Sequence, residues 1–213
     1  MRQLRNIFLF ALAMKFMFWY NQRDMELAEA VLNTQGRPII LIGLMGCGKT
    51  TVGKELSKKT GRPLLDMDSV IEEKIGKPIA DIFRDEGEAR FRALETVLLR
   101  YLESEEGSLF CRNSIISTGG GVVIREENRE ILRRLGFTVW LSVDVNILIS
   151  RTMRNNNRPL LRRPDREEVL NQLLEQRSPL YEETAHLKLD SSHLDIPAVV
   201  REVHKAACSF FSA

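Results

Sequence analysis

Between the apolar run Ile39-Ile40-Leu41-Ile42 and a helical pattern that begins at Val52 lie Gly43-Leu44-Met45-Gly46-Cys47-Gly48-Lys49-Thr50-Thr51. A glycine, four residues and then Gly-Lys-Thr is the P-loop spacing, and a strand before it with a helix after it is the context that makes the motif chemical. Glycines let the backbone curl until consecutive N–H groups point inward at phosphate oxygens. The N-terminus of the following helix adds its partial positive charge to that nest. Lys49 supplies a mobile point charge for the outer phosphates, and the Thr50 hydroxyl is a ligand for Mg²⁺. Gly46, Cys47, Gly48, Lys49, Thr50 and Thr51 are therefore expected to hold a nucleoside triphosphate.

Further along, Asp66 and Asp68 close a second apolar run. Two apart in extended chain, they face the same side. Two carboxylates beside a metal–phosphate site can divide the work: one holds the metal through water, the other orients or deprotonates an attacking hydroxyl. Capping the next helix is the plainer use of such acids. Ser117-Thr118-Gly119-Gly120-Gly121 follows Ile115-Ile116. Three glycines there mean a turn at positive φ or a close approach to the backbone, and the second would suit a donor surface for substrate oxygens. Arg151, Arg154, Arg158, Arg162 and Arg163 crowd one acid-free stretch that also holds Asn155-Asn156-Asn157, Pro159 and, just beyond it, Pro164. That composition reads as a mobile loop, and beside a phosphoryl-transfer site it suits a lid that carries an arginine to the transferring group. A solvated loop or an RNA contact are the alternatives. Arg92 stands four residues after Glu88 and three before Glu95, a spacing that a surface helix network also produces. Arg177 lies two residues before Pro179, near a helix break.

These groups need a scaffold that gathers them. From Pro38 onward, apolar runs alternate with helical patterns, as in a parallel sheet wrapped by helices. Strands are expected over residues 39–44, 63–66, 114–118, 138–143 and 187–189. Helices are expected over 49–60, 69–75, 78–86, 88–103, 126–135, 144–154, 166–183 and 196–207. Pro78 fits a first helical position and Gly136 a helix stop. In such a sheet ligands sit outside the carboxyl ends of the strands, where the motifs fall.

Bulk composition narrows the function classes. With 213 residues and 44% hydrophobic content, the chain can bury one good core. A net charge of only +2 argues against a general nucleic-acid binder. Cys47, Cys111 and Cys208 are odd in number and form no CxxC pair, which suggests neither a disulfide framework nor a zinc site and fits a reducing cytoplasm. Ile7 to Tyr20 is apolar except for Lys15, too short for a spanning helix of about 20 residues, and Trp19-Tyr20-Asn21-Gln22 offers no cleavage site. The expectation is a dispensable extension, with Met25 opening the part that flows into the first strand. A membrane-contacting helix is the alternative.

Taken in order, the motifs closely resemble the shikimate kinase family. They are Gly43 to Thr51, Leu65-Asp66-Met67-Asp68, Ile79-Ala80-Asp81-Ile82-Phe83, Gly87-Glu88-Ala89-Arg90-Phe91-Arg92 with Glu95, Ser117 to Gly121, Arg158-Pro159-Leu160-Leu161, and Arg177-Ser178-Pro179-Leu180-Tyr181. The resemblance runs from about Pro38 to the C-terminus, so residues 1–36 would be an extension and 37–213 the kinase domain. It implies a three-layer, nucleoside-monophosphate-kinase-like P-loop fold of the α/β class. The sheet would have five parallel strands in the order 2-3-1-4-5, with a mobile lid.

The implied activity is ATP-dependent phosphorylation of the 3-hydroxyl of shikimate, a step toward chorismate and the aromatic amino acids. By that likeness Lys49 and Thr50 serve phosphate and Mg²⁺, with Asp66 in the metal's outer shell. Asp68 holds the reacting hydroxyl and is the candidate base, and Arg92 and Arg177 clamp the substrate carboxylate with Gly119, Gly120 and Gly121. Arg158 is the lid arginine at the phosphates and Arg151 lies against adenine. Shikimate and ATP would be the small-molecule partners of a cytoplasmic monomer, with no nucleic-acid partner and no membrane contact. One departure is a slightly longer surface stretch over residues 103–113. A gluconate-type sugar-acid kinase and a nucleotide-binding regulatory module are the rival readings.

Overall fold

Four consecutive apolar residues with no polar alternation are what a strand covered on both faces requires. Ile39, Ile40, Leu41 and Ile42 are all buried and form β1 (Ile39–Ile42), the middle of a five-stranded sheet. The computed structural model describes residues 36–153 and 166–212. Expectations placed on residues 1–35, and on Arg154, Arg158, Arg162, Arg163 and the lid they would form, lie outside the described residues.

The other strands are β2 (Leu64–Asp66), β3 (Ile115–Ser117), β4 (Phe137–Ser142) and β5 (Leu187–Asp190). All pairs are parallel, and the order β2-β3-β1-β4-β5 is the expected one. Ile39 stands beside Ile115 on one flank and Phe137 on the other, while Asp66 at the end of β2 is the register partner of Ser117 at the end of β3. That last pairing puts two oxygen-bearing side chains together at the carboxyl edge.

Helices α1 (Lys49–Thr60) and α9 (Ile196–Ser212) pack on each other. A second group comprises α4 (Glu88–Glu103), α6 (Glu126–Leu135) and α8 (Arg166–Thr184). Helix α1 buries Val52, Gly53 and Leu56; a Cβ on Gly53 would come within 2.8 Å of Leu64 Cδ1, so the glycine sets how near this helix lies to the sheet. Two short helices, α2 (Met67–Ile75) and α3 (Ile79–Glu86), cross beyond β2, and α7 (Val145–Met153) follows β4.

Three local expectations need correction. Helix α2 begins at Met67, not residue 69, because the Asp66 side chain accepts from Asp68 N at 3.2 Å and Ser69 N at 3.4 Å. Asp68 is therefore in a helical first turn and does not alternate with Asp66 along a strand. The stretch after residue 103 is not mere surface chain: α5 (Glu105–Cys111) forms there, capped by Ser104 accepting from Gly107 N at 3.2 Å. The tight approach of Gly107, whose Cβ would overlap the Tyr101 carbonyl, folds α5 against α4. Lastly, α8 covers the expected 166–183 and does not break near Arg177. It runs on through Pro179, which only deprives the Glu175 carbonyl of a donor.

Candidate active site

Beyond β1 the chain turns through Gly43 (φ 138°), Gly46 (φ 86°) and Gly48 (φ 99°), backbone states that strain any L side chain. Gly43 is constrained a second time, since a Cβ there would lie 2.6 Å from the Leu141 carbonyl oxygen. Cys47 N donates to Leu44 O at 3.2 Å and closes the turn, and the Cys47 side chain is buried beneath it. Lys49 Nζ donates to the carbonyls of Gly43 at 2.7 Å and Leu44 at 3.2 Å. Phosphate oxygens compete well against these neutral acceptors, because they add a full charge–charge attraction to the ammonium.

Thr50, at the start of α1, donates from Oγ1 to Asp66 Oδ2 at 2.9 Å, and its Oγ1 also lies 3.1 Å from Ser117 Oγ. Three oxygen-bearing side chains thus meet from three elements. Asp66 serves two ends at once: Oδ2 meets Thr50 while Oδ1 caps α2 and so fixes Asp68.

The glycine run does form the tight turn, with Val122 N donating to Gly119 O at 3.3 Å, but the turn does not use positive φ. None of Gly119, Gly120 and Gly121 has positive φ; what excludes side chains is close approach. A Cβ on Gly119 would fall 2.6 Å from Glu95 Oε1 and 3.0 Å from Asp68 Oδ1, one on Gly120 3.0 Å from Met45 N, and one on Gly121 2.3 Å from Arg92 Cζ. Thr118 anchors the run, its Oγ1 donating to Leu41 O at 3.0 Å.

Arg92 does make the helix network its spacing suggested, but inside the protein. It is 7% exposed and donates from Nη1 to Glu95 Oε2 at 2.8 Å and from Nη2 to Glu88 Oε1 at 2.7 Å, with the Phe91 ring 5.2 Å away. Burial alone would lower the pKa of this guanidinium, but Glu95 and Glu88 outweigh it and the pKa rises. Arg177, also 7% exposed, donates from Nη1 to Gly120 O at 3.2 Å.

Glu95 is fully buried, and its Oε1 has no hydrogen-bond partner among the described residues. Burial and the nearby Asp68 raise its carboxyl from 4.5 to about 7 against the opposing pull of Arg92 and Arg177. The native state therefore binds this proton more tightly than the unfolded chain does. Between pH 4.5 and about 7 its contribution to stability drains away as pH rises. Glu95→Gln is expected to flatten that part of the stability profile, read as Tm between pH 5 and 7.5. Parallel profiles for the two proteins would refute it.

Many of these groups, though not Glu95 or Ser117, line one cavity of about 730 Å³. Gly46, Gly48, Lys49, Thr50, Thr51 and Asp66 line its phosphate side. Asp68, Arg92, Gly119, Gly120, Gly121 and Arg177 line the other side, with the exposed Arg151 also on its wall. Cys47 is not part of that wall, and Arg158 lies outside the described residues. The sequence reading gave no separate role to Ser117, although it heads the glycine run, nor to Glu95 beyond its helix spacing. Glu72, which the sequence did not single out, and Phe83, which it gave only within a motif, line the cavity. Glu72 Oε1 accepts from Ile79 N at 2.8 Å and so ties α2 to the start of α3. Among the described residues no helix is long and apolar enough to cross a membrane.

Comparison with known proteins points one way. A family model described as "Shikimate kinase" matches residues 45–208. A shikimate kinase of Chromohalobacter salexigens is 45% identical over 170 residues, 79% of this chain and 91% of that protein. The solved shikimate kinase of Acinetobacter baumannii in complex with shikimate aligns with a TM-score of 0.76 at 37% identity, covering 85% of this chain and 97% of that one. A gluconokinase from Sinorhizobium meliloti 1021 aligns at 0.50 with 18% identity, a likeness of fold alone.

Proposed function

We infer the function from one premise: this chain belongs to the shikimate kinase family. It is an ATP-dependent kinase, and its acceptor is shikimate. The γ-phosphoryl group of ATP passes to the 3-hydroxyl, giving shikimate 3-phosphate and ADP on the route to chorismate and aromatic amino acids. What carries this reading is that Lys49, Asp68, Arg92 and Arg177 line a single cavity, so phosphate-binding, hydroxyl-accepting and carboxylate-binding groups share one space. Convergence of several roles on one pocket is the strongest ground for a reaction class.

The step needs little covalent help from the protein. Asp68 accepts the hydrogen bond of the 3-hydroxyl and takes its proton as the oxygen bonds to phosphorus; the bond from phosphorus to the bridging oxygen breaks and ADP leaves. Arg92 and Arg177 grip the carboxylate, a task for which planar guanidinium forks are suited. The N–H groups of Gly119, Gly120 and Gly121 border that carboxylate. Lys49 shifts from its loop carbonyls to the phosphates. Mg²⁺ fits the Thr50, Asp66 and Ser117 oxygens, a hard donor set with few carboxylates of the kind this ion takes alongside phosphates. Thr50 would hold it directly and Asp66 through water, and the ion supplies neutralisation of phosphate charge. Arg158 at the phosphates and Arg151 at adenine rest on family likeness, as do residues 37–213 as the kinase domain and a cytoplasmic, monomeric state.

A coupled ADP-release assay with shikimate, gluconate or no acceptor is the direct test. Turnover is expected with shikimate only. Equal turnover with gluconate would favour the sugar-acid kinase, and none with either acceptor a pure nucleotide binder.

A further inference from the structure

One carbonyl in the glycine run receives two donors. Gly120 O accepts from the Tyr181 hydroxyl and from Arg177 Nη1, both carried by α8 one turn apart. Tyr181 is wholly buried, with its ring stacked on Trp140 at 5.6 Å. Trp140 in turn borders the first P-loop glycine: a Cβ on Gly43 would lie 3.4 Å from Trp140 Cδ1. Gly120 itself sits against Met45 N of the same loop. The Tyr181 hydroxyl therefore acts on a backbone atom wedged between the phosphate cradle and the anion clamp. Burial, the main cause, pushes its phenol well up, so it remains a donor.

We propose that Tyr181 is a positioning residue for substrate capture: by holding the Gly120 carbonyl, its hydroxyl frees Arg177 to leave that carbonyl for the incoming carboxylate. The inference rests on the proposed function, because it takes the ligand to be a hydroxylated carboxylate. A carbonyl oxygen has two lone pairs, and here both are used. When Arg177 turns its donors toward a carboxylate, the Gly120 oxygen keeps one partner and is not stranded beneath the ligand. Without the hydroxyl, the same movement would leave this part-buried oxygen with no protein partner, and because Gly120 lines the cavity a carboxylate seated there keeps water from replacing it; an acceptor stranded in this way weakens the bound state by about 5- to 100-fold.

The consequence is a non-additive pair. In the unsubstituted background, Tyr181→Phe leaves Gly120 O with Arg177 in the free protein and with nothing in the complex. Shikimate binding should weaken about 5- to 100-fold with kcat at saturation little changed. In an Arg177→Ala background the carbonyl is orphaned in free and bound protein alike. There Tyr181→Phe should change shikimate affinity less than about two-fold while lowering Tm more than it does alone.

The experiment measures shikimate Kd by calorimetry, kcat/KM where binding is weak, and Tm without ligand, across Tyr181→Phe, Arg177→Ala and the double variant. The same binding factor in both backgrounds, or no binding loss in Tyr181→Phe, overturns the proposal. Additive Tm losses overturn the shared carbonyl without reference to any substrate. A failure of the unsubstituted chain to bind shikimate would instead sink the proposed function.

Discussion

Asp68→Asn is expected to cut kcat by about 10²–10⁴-fold while ATP still binds. The amide matches the acid in size, and the Asp68 backbone N–H stays on Asp66 Oδ1, so the first turn of α2 keeps its place. What is lost is the ability to take a proton from the acceptor hydroxyl. Asp68 Oδ1 and Glu95 Oε1 both crowd Gly119, and a neutral amide relieves that like-charge contact. A turnover number at saturation equal to that of the unsubstituted enzyme would remove Asp68 from the mechanism.

Lys49→Ala should lower kcat by about 10²–10³-fold, the usual effect of deleting one donor to developing charge. Shikimate Kd without nucleotide should stay within a few-fold, because Lys49 bonds to Gly43 and Leu44 on the phosphate side of the cavity and has no described bond to the acid clamp. Loss of shikimate binding equal to the loss of kcat would contradict this division of the site. Together the two substitutions separate chemistry from docking, since both leave Arg92 and Arg177 in place.

Much of this was readable in the chain. The P-loop declares itself because its spacing and its strand–helix setting coincide, and the five strands because apolar runs without alternation mark a doubly covered sheet. The short elements were harder. Asp66 could be read as strand end, metal holder or helix cap, and the structure uses it as a cap while also setting it against Thr50; spacing alone has no means of showing a residue with two bonds. Helix α5 was missed because its seven residues, about two turns, carry a glycine, which helix propensity penalises by about 1 kcal/mol, and because Gly107 earns its place through contact with Tyr101. Pro179 suggested a break, yet packing of α8 carries the helix through. The roles of Glu95, Ser117 and Tyr181, which the sequence carried only as members of motifs, stayed hidden for a common reason. Each gains its role from a neighbour distant in sequence or from burial, and neither leaves a periodic trace.

The central position of β1 also bears on how the molecule comes into being. Its two neighbours, β3 and β4, both follow far behind it in synthesis, and the Leu141 carbonyl that crowds Gly43 arrives with the second of them. A nascent chain that has emerged only through α1 thus carries every residue of the phosphate-binding motif but none of the walls that shape it. Long-range closure must come before such contacts are rewarded. Nucleotide can therefore rescue only a chain released from the ribosome at least past β4, and truncations ending earlier should gain no protection from ATP against proteolysis.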